Sequence, residues 1–107
     1  NKKSAFKKTE DLLRNYNRLK YAVNNKFNNT EKTKTILKIL EAALETIKDD
    51  KYYEVIELIF FEHKSREEIA EYFDCEVKTV TRNKNRLVNQ LKVILFSDDV
   101  IKELYNL

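Results

Sequence analysis

Not one glycine or proline occurs in these 107 residues. Hairpins and tight sheet connections depend on both for backbone angles that other residues resist, whereas helices exclude them from their interiors. The absence alone therefore predicts an all-α chain. Apolar residues make up 42% of it, enough to pack one small core, and 36% is charged, as expected if every helix keeps a wet face. No apolar run approaches the roughly 20 residues of a membrane span, so no membrane partner is expected. The single cysteine excludes an internal disulfide and suits a reducing, cytoplasmic setting.

Charge is segregated along the chain. Residues 1–34 carry ten Lys/Arg against three Asp/Glu, residues 35–76 five against twelve, and residues 77–107 six against three. The small net charge of +3 thus conceals basic ends around an acidic middle. Such asymmetry points to an oriented partner more than to general stickiness.

Apolar spacing divides the chain into three parts. Residues 1–8 read as a flexible basic arm. Residues 9–48 read as a helical hairpin, its first helix capped by Thr9 and striped by Leu12, Tyr16, Leu19, Val23 and Phe27. Asn24, Asn25, Asn28 and Asn29 mark the turn, and Thr30 caps a second helix striped by Ile36, Leu37, Leu40, Ala43, Leu44 and Ile47. This hairpin is a candidate dimerisation surface. Residues 49–107 hold the rest of the same domain. Asp50 can cap a short apolar helix, YYEVIELIFF, whose composition places it centrally. Glu62, His63 and Lys64 form a loop, and Ser65 with Glu68 forms a capping box. A long helix follows over 77–96, and Ser97-Asp98-Asp99 restarts a short one with Val100, Ile101, Leu104 and Tyr105.

The segment 65–91 has the layout of a helix-turn-helix, two helices across a short turn with the second placed in the DNA major groove. Ala70 is small where the helices must cross. Ile69, Phe73, Cys75 and Val80 can plug the angle between them. Asp74 stands at the turn position that needs a positive φ, which Asp tolerates. Projected at about 100° per residue, Val77, Val80, Leu87, Val88 and Leu91 form a buried stripe. Lys78, Arg82, Arg86 and Asn89 lie opposite, with Thr79 and Asn85 on the flanks. Lys84 falls on the apolar side. Between residues 77 and 92 there are five basic residues and no acidic one. The first turns of such a helix reach base edges, so Lys78, Thr79 and Arg82 are the expected readers, Arg and Lys suiting guanine and Thr a thymine methyl. Arg86 and Asn89, farther along, are expected to hold phosphate.

Residues 55–91 resemble region 4 of the sigma-70 family. IFFE, SREEIA and VKTVTRNKNRL occupy, in order, the places of that family's apolar helix, first motif helix and recognition helix. The likeness implies recognition of a −35-type promoter element, base readout by Lys78, Thr79, Thr81 and Arg82, and RNA polymerase as a partner. The chain departs from the family at Asp74, Glu76 and Asn83, where Gly, Ser/Thr and an apolar residue are usual. Nothing before residue 48 resembles the sigma segment that melts the −10 element. The layout is closer to the small sigma-region-4-like phage regulators of the ArpU type, which implies a transcriptional activator of a phage or mobile element. A single recognition helix reads few base pairs, so a homodimer or a polymerase partner is expected.

Other chemistries find little support. His63 is the sole histidine, and no cysteine pair accompanies it, which argues against a metal site. Cys75 has no orienting base or oxyanion site, which argues against a nucleophile. Neither enzymatic activity nor a cofactor is expected. The principal alternative to DNA binding is a protein-interaction adaptor that uses the same helices as scaffold only.

Overall fold

The computed structural model describes residues 3–25 and 30–105, and side chains up to residue 102. The chain is all-α: among the described residues there is no strand. In order, the helices are α1 (Ala5–Arg14), α2 (Tyr16–Asn24), α3 (Glu31–Glu45), α4 (Tyr53–Ile56) running into a π-helical turn (Glu57–Phe61), α5 (Arg66–Phe73), α6 (Val77–Leu95) and α7 (Asp98–Tyr105).

The N-terminal region departs from its expected outline. Helix α1 begins at Ala5, because Ser4 is its cap and accepts from the Lys7 N–H at 3.1 Å. Of the expected arm 1–8, residues 5–8 are therefore helical, and Asn1 and Lys2 lie outside the described residues. Phe6 explains the earlier start, since it extends the apolar face of Leu13 two turns back and packs against the core. Thr9 is no cap: it is fully buried and its Oγ1 donates to the Ala5 carbonyl at 2.8 Å. The single helix expected from Thr9 is two helices. At Asn15 the backbone N–H reaches the Asp11 and Leu12 carbonyls, while Nδ2 donates to the Asp11 carbonyl at 2.7 Å. An Asn side chain competing with the main chain in this way ends a helix. Phe27, Asn28 and Asn29 lie outside the described residues.

Thr30 caps α3, accepting from the Thr33 N–H at 3.1 Å. Of the expected stripe, Leu37, Leu40, Ala43, Leu44 and Ile47 are buried and Ile36 is half-buried. Leu40, Ala43, Leu44 and Ile47 share one core with Leu13, Ile56, Phe60, Leu87, Val88, Leu91 and Leu95.

The short apolar helix is central, with Val55, Ile56 and Phe60 buried. Its second half is π-helical rather than α-helical, the Glu62 N–H reaching back to the Glu57 carbonyl at 3.0 Å. Asp50 serves this entry by accepting from the Tyr52 N–H at 2.9 Å. His63 then takes a left-handed conformation, φ 55°, in the loop before Ser65.

Helix α5 is bounded at both ends by local chemistry. Ser65 and Glu68 close the capping box reciprocally, with bonds of 3.1 and 3.0 Å. At the other end Asp74 sits at φ 53°, ψ 53°. The Cys75 N–H reaches the Ala70 carbonyl and the Asp74 N–H that of Glu71, which satisfies two otherwise orphaned carbonyls. Ile69, Ala70, Val55 and Val80 form a second core with Phe73 and Cys75 packed against it. This small core sets the angle at which α6 leaves the turn.

Candidate nucleic-acid interface

Helix α6 is the longest in the molecule among the described residues, and its two sides differ in kind. Val80, Leu87, Val88, Leu91 and Leu95 are buried along one side. Val77, expected in the same stripe, is exposed, because it lies in the first turn before the second core begins. The helix starts at Glu76 with no side-chain cap; the Glu76 carboxylate instead lies 3.9 Å from Lys78 Nζ. The acid at the N-cap position, Glu76, lies beside the positive end of α6 and offsets part of it.

The seven residues predicted to meet DNA fall into distinct settings. Lys78, Arg82 and Asn89 are exposed on the open side. Among the described residues Arg82 has no hydrogen-bond or ion-pair partner, so its guanidinium is available to a ligand. Thr79, Thr81, Asn85 and Arg86 are half-buried. The Thr79 carbonyl accepts from Asn83 Nδ2 at 2.9 Å. The Oδ1 of Asn85 is buried and has no hydrogen-bond partner among the described residues.

Arg86 differs most from its expected role. Its Nη1 and Nη2 each donate to an Asp50 carboxylate oxygen at 2.8 Å, a bidentate pair that ties α6 to the turn before α4. Nε and Nη2 also donate to Asn83 Oδ1 at 3.3 and 3.2 Å. The Arg86 bonds hold the Asp50 carboxyl below the usual carboxylate range despite partial burial, and Asp50 in turn raises the Arg86 pKa. Asn83, a departure from the sigma pattern, thereby gains a physical role: it links two successive turns of α6, from the Thr79 carbonyl to the Arg86 side chain.

No family model, curated protein or solved structure matches the chain.

Two residues that sequence reasoning assigned no role to this face hold it in place. Lys84, unexplained by projection, is buried and donates to Glu10 Oε2 at 2.8 Å. The two side chains are only 7% and 9% exposed. The ammonium also lies 5.3 Å from the centre of the Phe6 ring. With a helix starting at Thr9, Glu10 would be an exposed first-turn acid. Its true register puts it between Phe6 and Leu13 on the inward face, and an acid there was the signal for a buried cation across the core. Helix α6 is therefore clamped from α1 through Lys84 and from the α3–α4 connection through Arg86.

The acidic residues of α5 stay apart from the basic face. Glu68 is used in the capping box, while Glu67 and Glu71 are exposed and meet no cation among the described residues. No group of three or more His, Cys, Asp or Glu able to hold a metal occurs among the described residues. No helix of the described residues is long and apolar enough to cross a membrane.

Proposed function

We propose that the chain is a sequence-specific DNA-binding transcription regulator that reads duplex DNA with α6 and acts beside RNA polymerase, as an activator of the sigma-region-4-like phage type. The observation that carries this reading is the unpartnered Arg82 beside Lys78 on the open side of a helix whose other side is fixed in two cores. A reader needs both properties. The side chains must be free to meet base edges, and the helix beneath them must be rigid enough to set their register. Lys78, Arg82 and Thr79 are the proposed base-reading residues. Asn89 is the proposed phosphate contact farther along, and Thr81 and Asn85 line the flanks.

Arg82→Ala should cost about 1–3 kcal/mol of specific binding and relax the preference at one base pair. Selecting bound duplexes from a random pool with both proteins measures this directly. An identical enriched motif and affinity for the variant would remove α6 as the reader. A two-fold symmetric motif would identify a homodimer.

A second reading, the adaptor, is favoured by one feature. Tyr72 is 62% exposed and borders an apolar hollow of about 200 Å³ lined by Leu58, Lys64, Glu68 and Ile69. Its hydroxyl donates to the Glu54 carboxylate. A protein partner of the regulator, RNA polymerase included, would find its apolar anchor there.

A further inference from the structure

Arg86 lies on the same face of α6 as Arg82, about 40° around the helix and about 6 Å further along it. Its guanidinium is engaged by Asp50 and Asn83, and the Arg86 side chain as a whole is still 39% exposed. The Asp50 carboxylate meets it with two parallel bonds of 2.8 Å. That fork-to-fork geometry is the one in which an arginine meets a phosphate. Asp50 thus places a phosphate-like anion beside the proposed reading face, and its negative charge opposes any DNA phosphate that approaches Arg86. Nearby, Lys51 Nζ is drawn over the Tyr52 ring at 5.5 Å, and Asp49 adds an exposed acid to the same turn.

We infer that Arg86 reaches a DNA phosphate only by exchanging out of the Asp50 carboxylate, so that Asp50 restrains the sequence-independent part of duplex binding at the α6 face. The inference rests on the DNA-binding reading and adds to it a built-in competitor. Its ionic consequence is specific. When Arg86 moves to a phosphate it neutralises one DNA charge, but the bared Asp50 carboxylate, held beside the duplex, restores one negative charge to the same region. The exchange therefore adds almost nothing to the salt dependence of the native chain. Once Asp50 is neutral, the same contact adds a full phosphate to the salt slope. An affinity held down in this way leaves a larger share of the binding to the base-reading side chains, which favours selectivity over general adhesion to DNA.

Asp50→Asn separates these terms. The amide oxygen can still accept from the Tyr52 N–H, which Asp50 Oδ1 does now. The full chain and the variant are titrated onto one random-sequence duplex and one selected duplex across a salt series, with helical content followed in parallel. The variant should bind both duplexes more tightly and by the same factor. Its slope of log affinity against log salt should be steeper by about 0.9, making its advantage about 3.5-fold larger at 50 mM than at 200 mM salt. In the double variant Asp50→Asn/Arg86→Gln the extra slope should vanish, while Arg86→Gln alone should leave the native slope nearly unchanged. A native chain that binds with the slope and affinity of Asp50→Asn overturns the exchange and leaves the DNA-binding reading intact. A gain that survives Arg86→Gln overturns it too, because the gain would then come from losing an acid and not from freeing Arg86. If Asp50→Asn lowers helical content, Arg86→Gln on the native background decides: a slope shallower by about 0.9 would mean Arg86 contacts phosphate without a competing Asp50. A native chain that binds no duplex at low salt ends both readings, and that result is visible before any variant is compared.

Discussion

Lys84→Met should cost about 3–5 kcal/mol of folding stability, a large fraction of what a domain of this size possesses. The substitution keeps most of the side-chain volume and removes the one charge facing Glu10 in the core. Both partners are almost wholly excluded from water, and their bond is 2.8 Å. What remains is a carboxylate desolvated without compensation, a more severe loss than that of any exposed pair in the molecule. Glu10→Gln should be costly for the reciprocal reason, stranding the ammonium near the Phe6 ring. The double variant Glu10→Gln/Lys84→Met should recover most of the loss, because an apolar replacement of a buried pair is often neutral or better. Urea unfolding of the four proteins closes the cycle. A loss below about 1 kcal/mol for Lys84→Met would put the pair in the class of solvated surface bridges and remove the clamp between α1 and α6.

Phe60→Ala should cost about 3–5 kcal/mol by the loss of transferred area and the void left behind. Phe60 is 1% exposed, belongs to the main core, and lies in the π-helical turn. The Arg14 guanidinium sits over its ring at 5.4 Å, so truncation also removes a cation–π contact from α1. Close packing on several helices leaves few ways for the site to collapse. Phe60→Leu should retain most of the stability. Val93→Ala, at a site 68% exposed on α6, should change it by less than about 0.5 kcal/mol. Thermal melts of the three variants order these effects, and a Phe60→Ala protein as stable as Val93→Ala would contradict the assignment of the main core.

What could be read in the chain before its structure was what neighbouring residues decide among themselves. Ser65 and Glu68 close their box across three residues, and Asp74 turns the chain because its own side chain tolerates a positive φ. Ile69, Ala70, Phe73, Cys75 and Val80 meet as foreseen, since one turn fixes their mutual distance. Helix starts were less legible. Thr9 and Ser4 are both competent caps, and only the burial of Phe6 favours the earlier one. Nor does spacing distinguish a π-helical turn from an α-helical one in YYEVIELIFF, where apolar residues fall on every side.

The electrostatics of the candidate face were legible only in part. Projection correctly put Lys84 on the apolar side, but its partner lies 74 residues away in sequence. Arg86 projects onto the open side as a free cation would. Its engagement depends on Asp50, 36 residues earlier, in a turn whose position is set by the packing of α3 and α4. Periodicity reports which side of a helix a charge occupies and is silent about what the rest of the fold brings to it.

The central claim is that the open face of α6 binds duplex DNA. Its most direct test is an anisotropy titration of the purified chain onto a labelled duplex over a range of salt concentrations. Binding should be tight at low salt and weaken linearly in log affinity against log salt, by about 0.9 for each phosphate neutralised. Lys78→Ala and Arg82→Ala should each make that slope or the affinity smaller without lowering helical content. Failure to bind any duplex at 50 mM salt, with the helices intact, would contradict the claim and leave the adaptor as the surviving reading.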